Sequence, residues 1–332
     1  MRAWILDKQA SVVDTPLRLT EIPTPEPGDE EIRIRVHACG ICRTDLHIAE
    51  GDLPLKKTPL ILGHEIVGLV DQVGRDVKSF KPGDRAGVAW LNHACGTCKF
   101  CLSDRENLCS QAKFTGWDAD GGYAEYAAVN GEFAFHLTDS LSFEELAPLM
   151  CPGIAGYRAL RLTESEQGQR VGLYGFGPTA AYTLQVAKHL GMEVYAITRS
   201  KKNREAAREL GADWIGSYED SPPRLMDAGI IFPPAGNLVE FALSQLESGG
   251  RLILAPVYMT PIEIRDYNRI WQERTIKSLA HISRQDGREF LKIASEIKIK
   301  GQIETFPFEN LADTFALVKD GKVRGNAVIQ IA

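Results

Sequence analysis

The sequence predicts an α/β protein in two parts, a β-rich domain and a domain built on a doubly wound parallel sheet. Three observations predict it: a change of texture near residue 150, strands alternating with helices beyond it, and a glycine-rich turn between the first such strand and helix. At 332 residues the chain is longer than one core usually serves, so two domains are the default. Up to about residue 145, short alternating stretches such as EIRIRVHA and HEIVGLVDQVG are broken by PEPGDE, KPGD and DADGG, the punctuation of a β-rich fold. Then RVGLYGFG reads as a strand, PTAAYTLQVAKHLGM as a helix, EVYAIT as a strand and KKNREAARELGA as a helix, with further strands near DAGIIF and RLILAPV. Parallel neighbours need crossover connections, and helices of this length supply them. Beyond TIKSLAHIS, two amphipathic helical stretches precede the strand-like NAVIQIA, a tail expected to rejoin the first domain. The expected division is 1–150 completed by 281–332, and 151–280.

A net charge of −6 argues against nucleic acid as a partner. The start, MRAWILDKQ, lacks the apolar core of a signal peptide, and no run approaches the roughly 20 apolar residues that span a bilayer. A cytoplasmic protein with no membrane partner is the expectation. In that compartment cysteines serve metals more than disulfides. Cys95, Cys98, Cys101 and Cys109 form a CxxCxxC-x7-C knot that would close a structural zinc site. Cys42, His64 and Cys151 come from distant segments and would leave a coordination position open, as a catalytic zinc requires. Cys39 is left over.

The stretch VGLYGFGPTA places Gly175 and Gly177 at the first two positions of a dinucleotide fingerprint, with Ala180 at the third. One glycine permits the tight turn, the next lets backbone approach a pyrophosphate, and Pro178 and Thr179 open the helix whose N-terminus receives its charge. A strand before and a helix after supply the Rossmann context that the motif needs. At the end of the second strand, where an acidic residue holds the ribose of NAD, stand Thr198, Arg199, Ser200 and Lys201. Two cations and two hydroxyls favour a 2′-phosphate, hence NADP(H) over NAD(H). The alternative is that Arg199 and Lys201 only begin a solvated helix.

Together CRTDLH at 42–47, GHE at 63–65, LMCPG around Cys151, the cysteine knot and GFGPTA resemble the zinc-dependent medium-chain alcohol dehydrogenase family over essentially the whole chain. The GFGPTA loop and the TRS stretch resemble its bacterial zinc-binding branch. The resemblance implies a GroES-like catalytic domain beside the Rossmann domain, two zinc ions, and hydride transfer between NADP(H) and a primary alcohol or aldehyde. A polyol or secondary-alcohol dehydrogenase using NAD(H) is the alternative, and a nonenzymatic zinc protein that binds a partner through the knot is a further one. It further implies Cys42, His64 and Cys151 as catalytic zinc ligands, Glu65 near the metal, and Asp45 orienting His64. Thr44 and His47 match a proton relay, and Arg43 a partner of the cofactor pyrophosphate. Trp90, Leu91 and Trp117 fall where relatives line the substrate cleft between the domains. Asn326 stands where many relatives carry an arginine that grips cofactor phosphates. Relatives join subunits edge to edge near TIKSLAHIS, so a homodimer or homotetramer is implied.

Overall fold

A computed structural model describes residues 1–332. The chain divides into two units, Met1–Cys151 with Ile282–Ala332, and Pro152–His281. No helix is long and apolar enough to cross a membrane.

The first unit is organised by the eleven-residue strand Glu31–Ile41, which sits inside a seven-stranded sheet. It pairs antiparallel with Glu65–Val73 along most of its length, with Tyr126–Asn130 near its start and with Asn326–Gln330 near its end. The C-terminal tail therefore completes the sheet. The sequence EIRIRVHACGI looks like simple alternation, but the core takes Ile32, Ile34 and Val36, then Cys39 and Ile41. The phase changes because His37 is an extra residue: Val36 pairs with Gly68 and Ala38 with the adjacent Val67. A bulge of this kind turns the following side chains to the opposite face. Full burial of each Ile or Val contributes about 1.5–3 kcal/mol, so the changed phase is firmly held.

Texture in the first 145 residues gave no sign of the helix Arg43–Glu50, which follows this strand directly. Eight residues are too few for a helical period to stand out from alternating neighbours.

The second unit is a six-stranded, wholly parallel sheet. Its spatial order is Trp214–Gly216, Glu193–Ile197, Arg170–Tyr174, Met226–Ile231, Leu246–Leu254, Thr275–Ser278. Numbered along the chain this is 3-2-1-4-5-6, the dinucleotide-binding order, in which ligands sit beyond the carboxyl ends of the strands. Helices Pro178–His189 and Lys201–Glu209 lie where the sequence predicts them. Strand Trp214–Gly216 is too short to read from sequence. Helix Pro152–Leu162 is less legible still, because Gly156 within it serves packing: a Cβ there would lie 2.5 Å from Thr183 Oγ1 on the next helix.

The bulge residue His37 stacks on Phe143 at 4.4 Å, and its Nε2 is buried without a partner. Burial holds its pKa below the ordinary histidine value; the charges of Arg35 and Arg85 add to the effect and Glu144 opposes it. The unfolded chain thus takes up this proton first as pH falls, so stability is full above about pH 6.5 and declines below it. Thermal melts of wild type and His37→Gln between about pH 5 and 8 are expected to show a shallower acid decline in the variant. Parallel curves would refute the assignment.

Candidate active site and metal centres

Cys42 follows the central strand and caps helix Arg43–Glu50, and Gly51, in the left-handed region at φ 96°, ends the helix. The helix begins here because Asp45 reaches back, its Oδ2 accepting the Cys42 N–H at 2.8 Å. The same oxygen accepts from the Tyr123 hydroxyl at 3.1 Å. Oδ1 accepts from Gly63 N at 3.3 Å and His64 Nδ1 at 3.1 Å. A carboxylate at Nδ1 makes that nitrogen the donor, so the lone pair of His64 lies on Nε2. That atom is buried and has no hydrogen-bond partner.

Around it the chain gathers Cys42, Glu65 and Cys151, and the four donor atoms all lie within 4.8 Å of one another. The two sulfurs are 3.6 Å apart. A disulfide would need about 2.05 Å. Sulfurs about 2.3 Å from one tetrahedral ion lie about 3.8 Å from each other. The shared hydrogen bond with Cys151 draws Cys42 below the ordinary thiol range against its burial, and pushes Cys151 well above it together with burial. Burial pushes the Glu65 carboxyl up, and the charge of Cys42 adds to this. Two sulfurs, a stranded imidazole nitrogen and a carboxyl at this spacing fit a zinc ion. Glu65 has room only because Gly40 lies beneath it, where a Cβ would overlap Oε2.

Thr44 is buried, its Oγ1 3.7 Å from Cys42 Sγ. His47, three residues on and so on the same helix face, is half-exposed and has Nδ1 2.7 Å from Asp52 Oδ2. Arg43 is exposed and makes no ion pair. Trp90 sets its ring T-shaped to His64 at 4.8 Å and stacks on Phe114 and Trp117 at 5.3 and 5.9 Å. Leu91 belongs to a different cluster: it pairs across two short strands with Phe114 and packs under the knot with Ala94, Cys109 and Phe133. Nothing in the sequence singles out Tyr123, Gly40 or Phe114 for this site. Asp52 alone had a local signal, five residues after His47.

In the knot the sulfurs of Cys95, Cys98, Cys101 and Cys109 lie within 4.8 Å of one another, with Cys95–Cys101 at 3.8 Å and Cys98–Cys101 at 3.6 Å. Backbone N–H groups point at them: Cys98 to Cys95, and Cys95 and Gln111 to Cys109, at 3.3–3.5 Å. The N–H groups of Thr97 and Cys98 bring Cys95 down to about 6, a thiolate at neutral pH. The donor set again fits zinc, here with all four positions filled by sulfur.

In the second unit a cavity of about 610 Å³ lies at the strand ends, lined by Gly175 to Ala180, Thr198 to Ser200, Asn203, Tyr218, Phe232 and Pro233. Gly175, at φ 78°, donates to Ile197 O at 2.8 Å, and a Cβ on it would lie 2.6 Å from Pro233 Cδ. Gly177 differs: a Cβ there would meet nothing within 4 Å. The protein does not need that glycine for its own packing, whereas a close-approaching pyrophosphate would. Ser200 caps helix Lys201–Glu209 by accepting from Asn203 N at 3.3 Å. No carboxylate lines the cavity, and neither Arg199 nor Lys201 makes an ion pair.

Residues 28–139 match the family described as alcohol dehydrogenase GroES-like domain, and residues 178–296 the zinc-binding dehydrogenase family. A relative named probable alcohol dehydrogenase AdhA, from Mycobacterium tuberculosis, is 43% identical over 100% of this chain and 97% of its own. The chain belongs to the zinc-type medium-chain alcohol dehydrogenase family. An alcohol dehydrogenase from Geobacillus stearothermophilus is 35% identical over 97% of this chain and 99% of its own. A solved cinnamyl alcohol dehydrogenase from Sorghum bicolor superposes with a TM-score of 0.89 at 27% identity, covering 99% of this chain and 97% of that one. This protein is accordingly an oxidoreductase with alcohol dehydrogenase activity. In this alcohol dehydrogenase Asn326 is 9% exposed and donates from Nδ2 to Gln302 O at 3.1 Å, tying its amide to a neighbouring strand end.

The two glycines of the loop make a paired test. Gly175→Ala is expected to lower stability by roughly 1–2 kcal/mol or more, through its positive φ and the contact with Pro233. Gly177→Ala is expected to leave the melting temperature nearly unchanged while weakening dinucleotide binding about tenfold or more. Calorimetric titration and thermal melts read the two effects separately, and equal behaviour of the variants would overturn the distinction.

Proposed function

We propose that this alcohol dehydrogenase transfers hydride between NADP(H) and a primary alcohol or aldehyde, with one zinc at Cys42, His64 and Cys151 and a second in the cysteine knot. In this reading the unit Met1–Cys151 with Ile282–Ala332 carries the metals and the unit Pro152–His281 the nucleotide. The observation that carries it is the convergence of Cys42, His64, Glu65 and Cys151 from separate segments, with His64 Nε2 buried and otherwise unpaired.

A zinc ion held there would supply Lewis acidity toward the substrate oxygen, and a bound nicotinamide would supply the hydride donor or acceptor. The chain's own residues do the rest. Asp45 fixes the tautomer of His64 and holds its ring, as partners of metal-bound imidazoles do. Thr44 presents a hydroxyl next to Cys42 for the substrate oxygen, and His47 on the same face carries the proton onward. Asp52 holds His47 Nδ1, which leaves Nε2 to exchange that proton. Arg43 is free to pair with the cofactor pyrophosphate. Trp90, backed by Phe114 and Trp117, makes a rigid aromatic wall beside His64, suited to a small or flat substrate. Leu91 takes no part in that wall.

The preference for NADP(H) rests on Thr198, Arg199 and Ser200, which line the cavity with no carboxylate among its lining residues, and on Lys201 next in the chain. Thr275–Ser278 is one of the two edge strands of the six-stranded sheet, and a homodimer or homotetramer formed through it would cover that edge.

Metal analysis of purified protein is expected to give two zinc ions per chain. His64→Ala should lose one ion and turnover while keeping the fold; Cys98→Ser should lose the other and melt lower, because a closed zinc site contributes to folding directly. Two ions retained in His64→Ala would sink the ligand assignment. Steady-state rates with NADPH and NADH across primary alcohols, polyols and aromatic aldehydes test the cofactor and substrate. Arg199→Ala is expected to raise KM for NADPH about tenfold or more, the worth of a charge-assisted contact, and to change KM for NADH little.

A further inference from the structure

A second cavity, of about 490 Å³, lies wholly within the unit that carries the two donor clusters and shares no residue with them or with the strand-end cavity. That is the size of a small-molecule site. Its floor is apolar, with Phe80, Phe135, Leu141, Leu146 and Leu149 all buried. One wall is helix Arg284–Ile297, which lines the cavity with Arg288, Leu291, Lys292 and Ser295, positions i, i+3, i+4 and i+7 of one face. The helix does not close on the floor because it is braced at both ends of that stripe. A Cβ on Gly287 would lie 2.4 Å from the Phe135 ring, so helix and strand Ala134–His136 already touch there; two turns on, Ser295 Oγ donates to Thr138 Oγ1 at 3.2 Å. Between the braces Ala294 offers only a methyl group.

Most polar groups at the mouth are engaged. His136 stacks on Phe80 at 4.1 Å with Nε2 2.8 Å from Ser79 O, and the Glu132 carboxylate lies 3.5 Å from Arg284. Arg284 itself meets two carboxylates, Glu106 and Glu132. Arg288 and Lys292, on the same helix, are different: both are exposed, and neither makes an ion pair or a hydrogen bond. An apolar hollow gains from displacing its water with hydrocarbon, and two unanswered cations at its rim gain from an anion that stays beside solvent and so escapes the cost of burial. One kind of molecule meets both demands, an alkyl chain that ends in an anionic group. We propose that this cavity is a ligand site for a medium-chain carboxylate, whose chain lies against Leu146 and Leu149 and whose head lies at Arg288 and Lys292. The inference rests on neither the NADP(H) reading nor a bound metal.

The test is calorimetric titration of the full-length enzyme with hexanoate, octanoate and decanoate, with octanamide as the uncharged match and acetate as the anion without a chain. One carboxylate per chain is expected, with affinity rising about three- to fourfold for each added methylene, the worth of burying it. Arg288→Gln/Lys292→Gln should weaken octanoate about three- to tenfold and leave octanamide unchanged, since both cations sit at a wet rim. Ala294→Met, which fills the hollow from the helix side, should weaken both ligands and flatten the dependence on chain length. His64→Ala should bind octanoate as wild type does, which separates this cavity from the candidate active site. Octanoate binding that is lost in His64→Ala, or untouched by the double variant, overturns the proposal. So does acetate binding as tightly as octanoate, the mark of a surface anion patch only. Sedimentation of the double variant without ligand should give the wild-type mass; a changed mass would assign this face to a second copy of the chain, and the proposal would fall.

Discussion

One buried carboxylate organises the candidate active site. Asp45 is fully shielded from solvent, yet its two oxygens accept from Cys42 N, Tyr123 Oη, Gly63 N and His64 Nδ1. An unpaired charge in such a place would be very costly, and four donors offset that cost. The four come from three stretches of chain, so the same bonds that satisfy the charge join the start of helix Arg43–Glu50, the Gly63–His64 turn and Tyr123 into one frame. Within it the imidazole has a single orientation and a single tautomer. Everything proposed about a metal held by Cys42, His64 and Cys151 depends on that orientation.

The sheet beneath obeys a related constraint. The bulge at His37 reverses which face of strand Glu31–Ile41 meets the core, and so decides which side Gly40 presents to Glu65. Without the extra residue, a core-facing side chain and a site-facing gap would exchange places. The polar cost is borne by His37 itself, wedged beside Phe143 with an unsatisfied ring nitrogen. A local irregularity of the backbone thus sets the geometry of the site three residues further on.

The parallel-sheet unit was far more legible. Its strands and helices are local, regular and separated by turns, so periodicity finds most of them, and the order 3-2-1-4-5-6 follows from parallel pairing with helical crossovers. The glycine loop was readable because it is a short motif: Gly175 needs a positive φ, and Gly177, which the fold does not need for packing, leaves open space at the cavity. Tyr218 was not readable, since nothing in GSYED announces a ring under Arg199 nineteen residues earlier.

By itself the sequence determined the fold class and the family, and it named the residues that the fold gathers into two donor clusters and the arginine beside the strand-end cavity. These follow from residue types at short spacings, which survive in one dimension. Tertiary structure alone decided that Leu91 packs beneath the knot while Trp90 faces His64, that Tyr123 and Gly63 complete the shell of Asp45, and that Asp52 holds His47. The physical reason is that burial and hydrogen-bond satisfaction are settled between segments far apart in the chain, where neither period nor motif carries information.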